Sequence, residues 1–258
     1  MSKENILQNL SDDQIEKRIN NYTDKISHIH RYASFDYCYN YFQSFRKKDI
    51  LLQIAAKENI ELSVLQLTCY LASWGMFRGS TALLRHSSHA LKPVIEFAAA
   101  TPEKYWEIDI DNYDVTISDL TTLYCEIGSR INIPLVKDGK DNAQEATAIL
   151  VTKILLGIFG CTPAMDEFFI KGIGKANLGY LNYQESIDKV KAIWQSLFYF
   201  YTKHKFIIDS KIITSLQFDG TKSSFVYTKA KLIDMLFFER GNEIIKQEKE
   251  KRKNIAKK

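Results

Sequence analysis

The sequence contains few of the residues that interrupt helices. Among its 258 residues there are four prolines and 11 glycines. Scarce helix breakers over this length argue against a sandwich of short strands joined by tight turns. Apolar residues recur instead at spacings of three and four, the period of an amphipathic helix. We therefore predict an all-α fold, a multi-helix globular bundle of roughly ten helices around a central apolar helix at 62–77.

Cysteine is also scarce, and the chain lacks the spacing that metal sites need. Four cysteines lie far apart in apolar stretches. No CxxC pair or Cys/His cluster occurs, whereas structural zinc sites require one. Isolated thiols of this kind are typical of small buried residues in a reducing compartment. We predict no metal, no cofactor and a cytoplasmic location in a bacterial-type cell.

Hydrophobic runs long enough for a membrane are absent as well. The longest uncharged run, 62–77, is shorter than the roughly 20 residues that span a bilayer. The N-terminal stretch has no apolar core of the kind that a secretory signal carries. These observations predict a soluble intracellular protein that does not enter a membrane.

The positions of turns and charges predict one main domain and a basic C-terminal tail. The stretch 131–141 contains Pro134 and Asp138-Gly139, and we interpret it as a loop at a possible internal boundary of one helical domain, 1–245. Residues 246–258 are predicted to be a flexible basic tail. The last 20 residues hold eight Lys/Arg against four Asp/Glu, which accounts for the whole net charge of +4. Residues 206–218 are predicted to be helical, although their β-branched content leaves a strand open.

Positive side chains gather at Arg78, Arg85, His86 and His89. A helix over 80–90 would place the last three on one face. Arginine offers several donors to an anion, and histidine can exchange a proton near neutral pH. An anion-binding or acid/base site is one interpretation. The other is a polar helix face, with Arg78 capping the preceding helix.

Lys153 stands in an otherwise apolar predicted helix, and Asp166 follows Thr162-Pro163 at the start of the next. A lysine in apolar surroundings can serve as a base or nucleophile. Lys153 and Asp166 are therefore candidate catalytic residues, together with the two histidines named above. In the alternative interpretation, the ammonium group of Lys153 simply extends to the surface.

A glycine-rich turn follows, formed by Lys171, Gly172, Gly174 and Lys175. Such a turn can direct backbone N–H groups at a phosphate, and the lysines add charge. These residues resemble the hairpin of helix-hairpin-helix DNA-binding proteins, and the resemblance implies contact with a nucleic-acid backbone. The sequence departs from that family at 177–179, where a second helix should continue. A plain loop with glycines as helix caps is the alternative.

Two functions of different classes follow. The leading prediction is a non-catalytic intracellular helical binding module, which contacts nucleic acid or a partner protein through the turn at 171–175 and the basic tail. The alternative is a helical enzyme acting on a nucleotide, nucleic acid or phosphorylated substrate. Its pocket would lie between the segment Arg78–His89 and the pair Lys153/Asp166. Convergence of these groups in space would favour the enzyme.

Overall fold

The computed structural model describes residues 10–79, 81–137, 140–175, 178 and 181–255. Within these ranges the chain forms eleven α-helices, so the predicted all-α class is confirmed. In chain order they are α1 (Asp12–Thr23), α2 (Ala33–Lys47), α3 (Ile60–Ser73), α4 (Lys92–Ala100), α5 (Glu103–Trp106), α6 (Tyr113–Arg130), α7 (Ala148–Phe159), α8 (Glu167–Gly172), α9 (Tyr183–Lys203), α10 (Lys205–Asp209) and α11 (Lys229–Ile255). Short 3₁₀ turns lie at Leu51–Ala55, Ala82–Arg85, Ser88–Leu91 and Ile110–Asn112.

Two antiparallel hairpins accompany the helices. They consist of β1 (Asn132–Lys137) with β2 (Lys140–Glu145), and β3 (Thr214–Leu216) with β4 (Lys222–Val226). The stretch 131–141 therefore contains β1 and the start of β2, while its predicted Asp138-Gly139 turn lies outside the described residues. The segment 206–218 is only partly helical, because it ends α10 and then enters β3.

Side-chain caps fix the ends of several helices. Ser11 begins α1 with a capping box, in which its hydroxyl accepts from the backbone N–H of Gln14. Asn182 begins α9 in the same way. Gly160 ends α7 with a positive φ of 69°, a conformation that favours glycine. Each cap satisfies backbone groups that the helix itself leaves unpaired.

The helix buried on all sides is α7. It contacts α2, α3, α6 and α9, and every residue from Leu150 to Phe159 is buried. The predicted central helix at 62–77 corresponds to α3, which ends at Ser73 and leaves Leu62 and Leu65 exposed. The difference arises because α3 is apolar on faces that the bundle does not cover. A uniformly apolar sequence indicates a buried helix. It does not show which of two such helices is the more deeply buried.

The final helix, α11, runs through most of the predicted tail. Residues 246–255 are helical, and 256–258 lie outside the described residues. Among the described residues, no helix is both long enough and apolar enough to cross a membrane.

Candidate functional site

The structure brings the predicted residues Lys153 and Asp166 together. Lys153 Nζ lies 3.3 Å from Asp166 Oδ2 and donates to the backbone oxygen of Trp74 at 2.7 Å. Asp166 also caps α8, since its Oδ1 accepts from the N–H of Phe169. Through its ion pair with Asp166 and its hydrogen bond to Trp74, Lys153 of α7 thus contacts both the start of α8 and the end of α3.

A second buried pair, Lys231 with Asp234, lies at the start of α11. Lys231 Nζ is 2.9 Å from Asp234 Oδ2 and 3.3 Å from the hydroxyl of Tyr22. Asp234 Oδ1 accepts from the N–H of Ala164. Burial raises the pKa of Asp234 above its usual value, although Lys231 opposes that shift. This pair was not predicted from the sequence. A lysine and an aspartate three apart inside an apolar helix were the available signal.

Trp74 links the two pairs. The ammonium groups of Lys153 and Lys231 lie 6.0 Å and 5.9 Å from the centre of its ring. The indole stacks on Tyr32 at 5.4 Å, and Tyr32 stacks on Tyr22 at 4.5 Å. We call Trp74, Lys153, Asp166, Lys231 and Asp234 the Trp74 cluster.

The charges of the Trp74 cluster are almost removed from water. The side chains of Lys153 and Lys231 are 5% and 2% exposed. Taking such groups out of water costs several kcal/mol per ion, which the partner charge only partly offsets. Apolar side chains of similar volume would often be as stable. Two retained pairs beside one tryptophan are therefore a candidate for function.

The predicted basic helix at 80–90 is wrong. Two 3₁₀ turns replace it, because His86 and Ser87 adopt extended backbone and the Ser87 hydroxyl accepts from the N–H of His89. Arg85 and His89 are exposed, and His86 is half-buried. In the part of the chain described, no hydrogen bond or ion pair joins these three side chains to the Trp74 cluster. Arg78 lies four residues after Trp74, and its side chain lies against Gly75.

The glycines of the predicted phosphate turn serve helix packing. A Cβ added at Gly172 would lie 1.9 Å from the backbone oxygen of Phe237, and one added at Gly241 would lie 1.9 Å from that of Phe168. Helices α8 and α11 therefore touch backbone to backbone at two points. Gly174 lies two residues beyond the end of α8 and has a φ of 67°. Side chains at positions 172 and 241 would force the two helices apart.

This crossing places the predicted turn beside the predicted tail. Lys171, in the last turn of α8, forms an ion pair with Glu248 of α11. Residues 246–255 hold five Lys/Arg and two Asp/Glu. We call the basic side chains of the two segments the basic ridge. They are Lys171, Lys175, Lys246, Lys249, Lys251, Arg252 and Lys253.

Within the described ranges, no group of three His, Cys, Asp or Glu side chains is placed to hold a metal ion. Comparison with protein-family models, curated proteins and solved structures finds no match. Function must therefore be inferred from the two charged regions themselves.

Proposed function

We propose that the chain is a non-catalytic helical binding module that contacts nucleic acid through the basic ridge. One observation carries this proposal: Lys171 and Glu248 join the turn at 171–175 to the end of α11. The two basic segments, which are separate in the sequence, are thus in contact through this ion pair.

The charge distribution supports a phosphate-rich partner. The last 20 residues carry the whole net charge of +4, so the rest of the chain is neutral. Lys246, Lys249 and residues 251–253 are all exposed. A concentrated, solvated set of cations can displace the counterions that surround nucleic acid, which is the main source of sequence-independent affinity.

The composition of the ridge argues against a membrane surface. Residues 246–254 contain no apolar side chain. Helices that lie on lipid bilayers insert an apolar face beneath the headgroups, and this segment has none. Backbone phosphates of DNA or RNA require only the cations.

Salt dependence of binding provides the test. We expect wild-type protein to bind labelled duplex DNA or RNA at low salt, with a log Kd that depends linearly on log salt. The variant Lys249→Gln/Lys251→Gln/Arg252→Gln/Lys253→Gln should bind far more weakly. Its salt slope should fall by roughly 0.9 for each phosphate of duplex DNA that the variant no longer neutralises. Fluorescence anisotropy at several salt concentrations measures both quantities.

A matched control removes the same charge elsewhere. Lys48, Lys57, Lys189 and Lys222 are exposed and lie outside the ridge. Glutamine at these four positions should leave the salt slope unchanged. Equal weakening by both quadruple variants would show that only net charge matters. Binding to an acidic protein but to no nucleic acid would also overturn the proposal.

A second pair of substitutions tests the turn. Lys171→Ala with Lys175→Ala should lower the salt slope by roughly two if both lysines contact phosphates. An unchanged slope would restrict the contact surface to the end of α11.

A helical enzyme acting on a phosphorylated substrate is the second candidate. The observation that favours it is the 3.3 Å approach of Lys153 and Asp166 beside a second lysine–aspartate pair. Phosphate release from a panel of nucleotides, abolished in Lys153→Met while the fold is retained, would support catalysis.

A further inference from the structure

The turn between α3 and the first 3₁₀ segment after it, residues 73–78, is surrounded by cations. Arg31 lies over the Trp74 ring, with its Cζ 4.8 Å from the ring centre, and its Nη1 donates to the backbone oxygen of Ser73 at 3.2 Å. The side chain of Arg78 folds back over Gly75, where an added Cβ would lie 3.4 Å from Arg78 Nε. Lys153 Nζ donates to the backbone oxygen of Trp74.

These cations differ in whether they are neutralised. Lys153 and Lys231 each have an aspartate partner inside the Trp74 cluster. Arg31 and Arg78 are exposed, and neither forms an ion pair with a carboxylate of the described residues. The surplus positive charge of this region therefore lies at its solvent-facing rim.

From this arrangement we infer that Arg31 and Arg78 bind the phosphate group of a small phosphorylated molecule above the Trp74 turn. The guanidinium group presents parallel N–H donors that match two oxygens of a phosphate, and it keeps its charge at all relevant pH values. Two such groups around a single short turn fit one phosphate group, whereas a nucleic-acid strand presents a series. The proposal is independent of the basic ridge and supplies the second candidate function with its ligand-binding residues.

The local backbone favours this role. Gly75 has a φ of 78°, in the left-handed region that favours glycine. An added Cβ would touch Arg78 only at ordinary van der Waals distance, so the backbone conformation is what favours glycine here. Trp74 Nε1 is buried and has no hydrogen-bond partner among the residues that the structure describes. An unpaired buried donor is unfavourable, so an acceptor oxygen from a ligand that reached it would stabilise the turn.

The buried pair of Lys153 and Asp166 fixes the turn against which the two arginines lie. Lys153 and Arg31 both bind carbonyl groups at the end of α3, where the helix leaves them unpaired. Asp166 fixes Lys153, and α8 fixes Asp166 through its capping bond. The geometry of the turn is thereby coupled to the core.

Calorimetric titration with inorganic pyrophosphate and with ATP tests the inference. We expect binding by the wild-type protein and at least tenfold weaker binding by Arg31→Gln/Arg78→Gln. Arg31→Lys/Arg78→Lys keeps the charge but removes the planar donors, and its affinity should also fall. Circular dichroism and thermal unfolding should show that both variants remain folded, because the two arginines are exposed.

Two controls locate the effect. Lys57→Gln/Lys189→Gln removes the same charge, and Lys57 precedes the far end of α3. This control should bind pyrophosphate with the affinity of the wild type. The ridge variant with glutamine at 249, 251, 252 and 253 should do the same. Absence of pyrophosphate and ATP binding at low salt would overturn the inference. Equal affinity of the Arg31/Arg78 variants and the wild type would do the same.

A parallel titration with an oligonucleotide distinguishes a small phosphorylated ligand from a nucleic-acid backbone. If Arg31→Gln/Arg78→Gln weakened oligonucleotide binding as much as pyrophosphate binding, the rim would belong to a nucleic-acid surface, and the small-molecule assignment would be wrong. Loss of oligonucleotide binding in the ridge variant alone would leave both proposals standing. Loss of pyrophosphate binding in the ridge variant would contradict the independence of the two sites.

Discussion

The charged side chains of the Trp74 cluster are largely buried and paired, whereas most of those on the basic ridge are exposed to solvent. In the cluster, each ammonium lies within 3.3 Å of a carboxylate and is nearly shielded from water. On the ridge, the cations of residues 249–253 stand in solvent. A buried charge is stable only with its partner, whereas an exposed charge is stabilised by water and remains available to a ligand. Substitutions in the cluster should therefore change the stability of the fold, and substitutions on the ridge should change ligand binding.

Removing one member of a buried pair should have the largest effect. Lys231→Met leaves the carboxylate of Asp234 in the core without its counter-ion, and we expect the free energy of unfolding to fall by about 3–5 kcal/mol. Urea denaturation followed by circular dichroism measures this loss.

The matched double variant tests the cause. Lys231→Met/Asp234→Leu removes both charges and should recover much of the stability, because the uncompensated carboxylate is gone. Lys189→Met, at an exposed position of α9, should change stability by less than about 0.5 kcal/mol. Equal losses in the single and double variants would show that packing, and not charge, is responsible.

Asp36 sharpens the comparison, because it is a buried carboxylate that forms no ion pair with the described lysines and arginines. It accepts from the hydroxyl of Tyr227 and from the N–H of Leu216, and thereby attaches β3 to α2. Burial raises the pKa of Asp36 to about 6, despite the opposing effect of these hydrogen bonds. The folded chain thus retains a proton between pH 4 and 6 that the unfolded chain has released.

Stability should follow from that difference in proton binding. The contribution of Asp36 is present at low pH and is lost as the pH rises through about 6, by at most about 3 kcal/mol. Comparing urea denaturation of wild type and Asp36→Asn between pH 4.5 and 7.5 isolates it. Wild type should lose stability relative to the variant as the pH increases. Parallel profiles would mean that Asp36 titrates normally.

Deleting residues 246–258 should have the smallest effect on stability. The described ion pair between this segment and the body is Lys171–Glu248, with side chains 33% and 43% exposed. Pairs this exposed contribute about 0–1 kcal/mol. The truncated chain should therefore unfold at nearly the same urea concentration while losing nucleic-acid binding. A large loss of stability would instead show that the end of α11 packs on the body.

Local signals predicted the helical class and several details of it. Ser11 followed by two acidic residues is a local signal for a helix start, and the structure has the cap of α1 there. The sequence singles out Lys153 because it stands in an apolar helix, and Asp166 because it follows Thr162-Pro163 at a helix start. Their mutual contact was not predictable, since it depends on how α7 and α8 pack in space.

Other features lay beyond local patterns. The Ser87 hydroxyl competes with a helix at 80–90 by accepting from the backbone N–H of His89, and this outweighs the helical spacing of Arg85 and His89. Gly172 suggested a phosphate turn, but the atom near it is the backbone oxygen of Phe237. Glycine permits close approach to either group, and only the fold decides which one is present.

Helix α11 is one continuous helix in two environments. Residues 230–239 are buried without interruption, whereas 249–254 are exposed. Amide protons in the buried part can exchange with deuterium only when the core opens, while the last turns fray on their own. The slowest and some of the fastest exchanging amides should thus lie within one helix. A ligand on the ridge would then be detected as slowed exchange confined to the last turns.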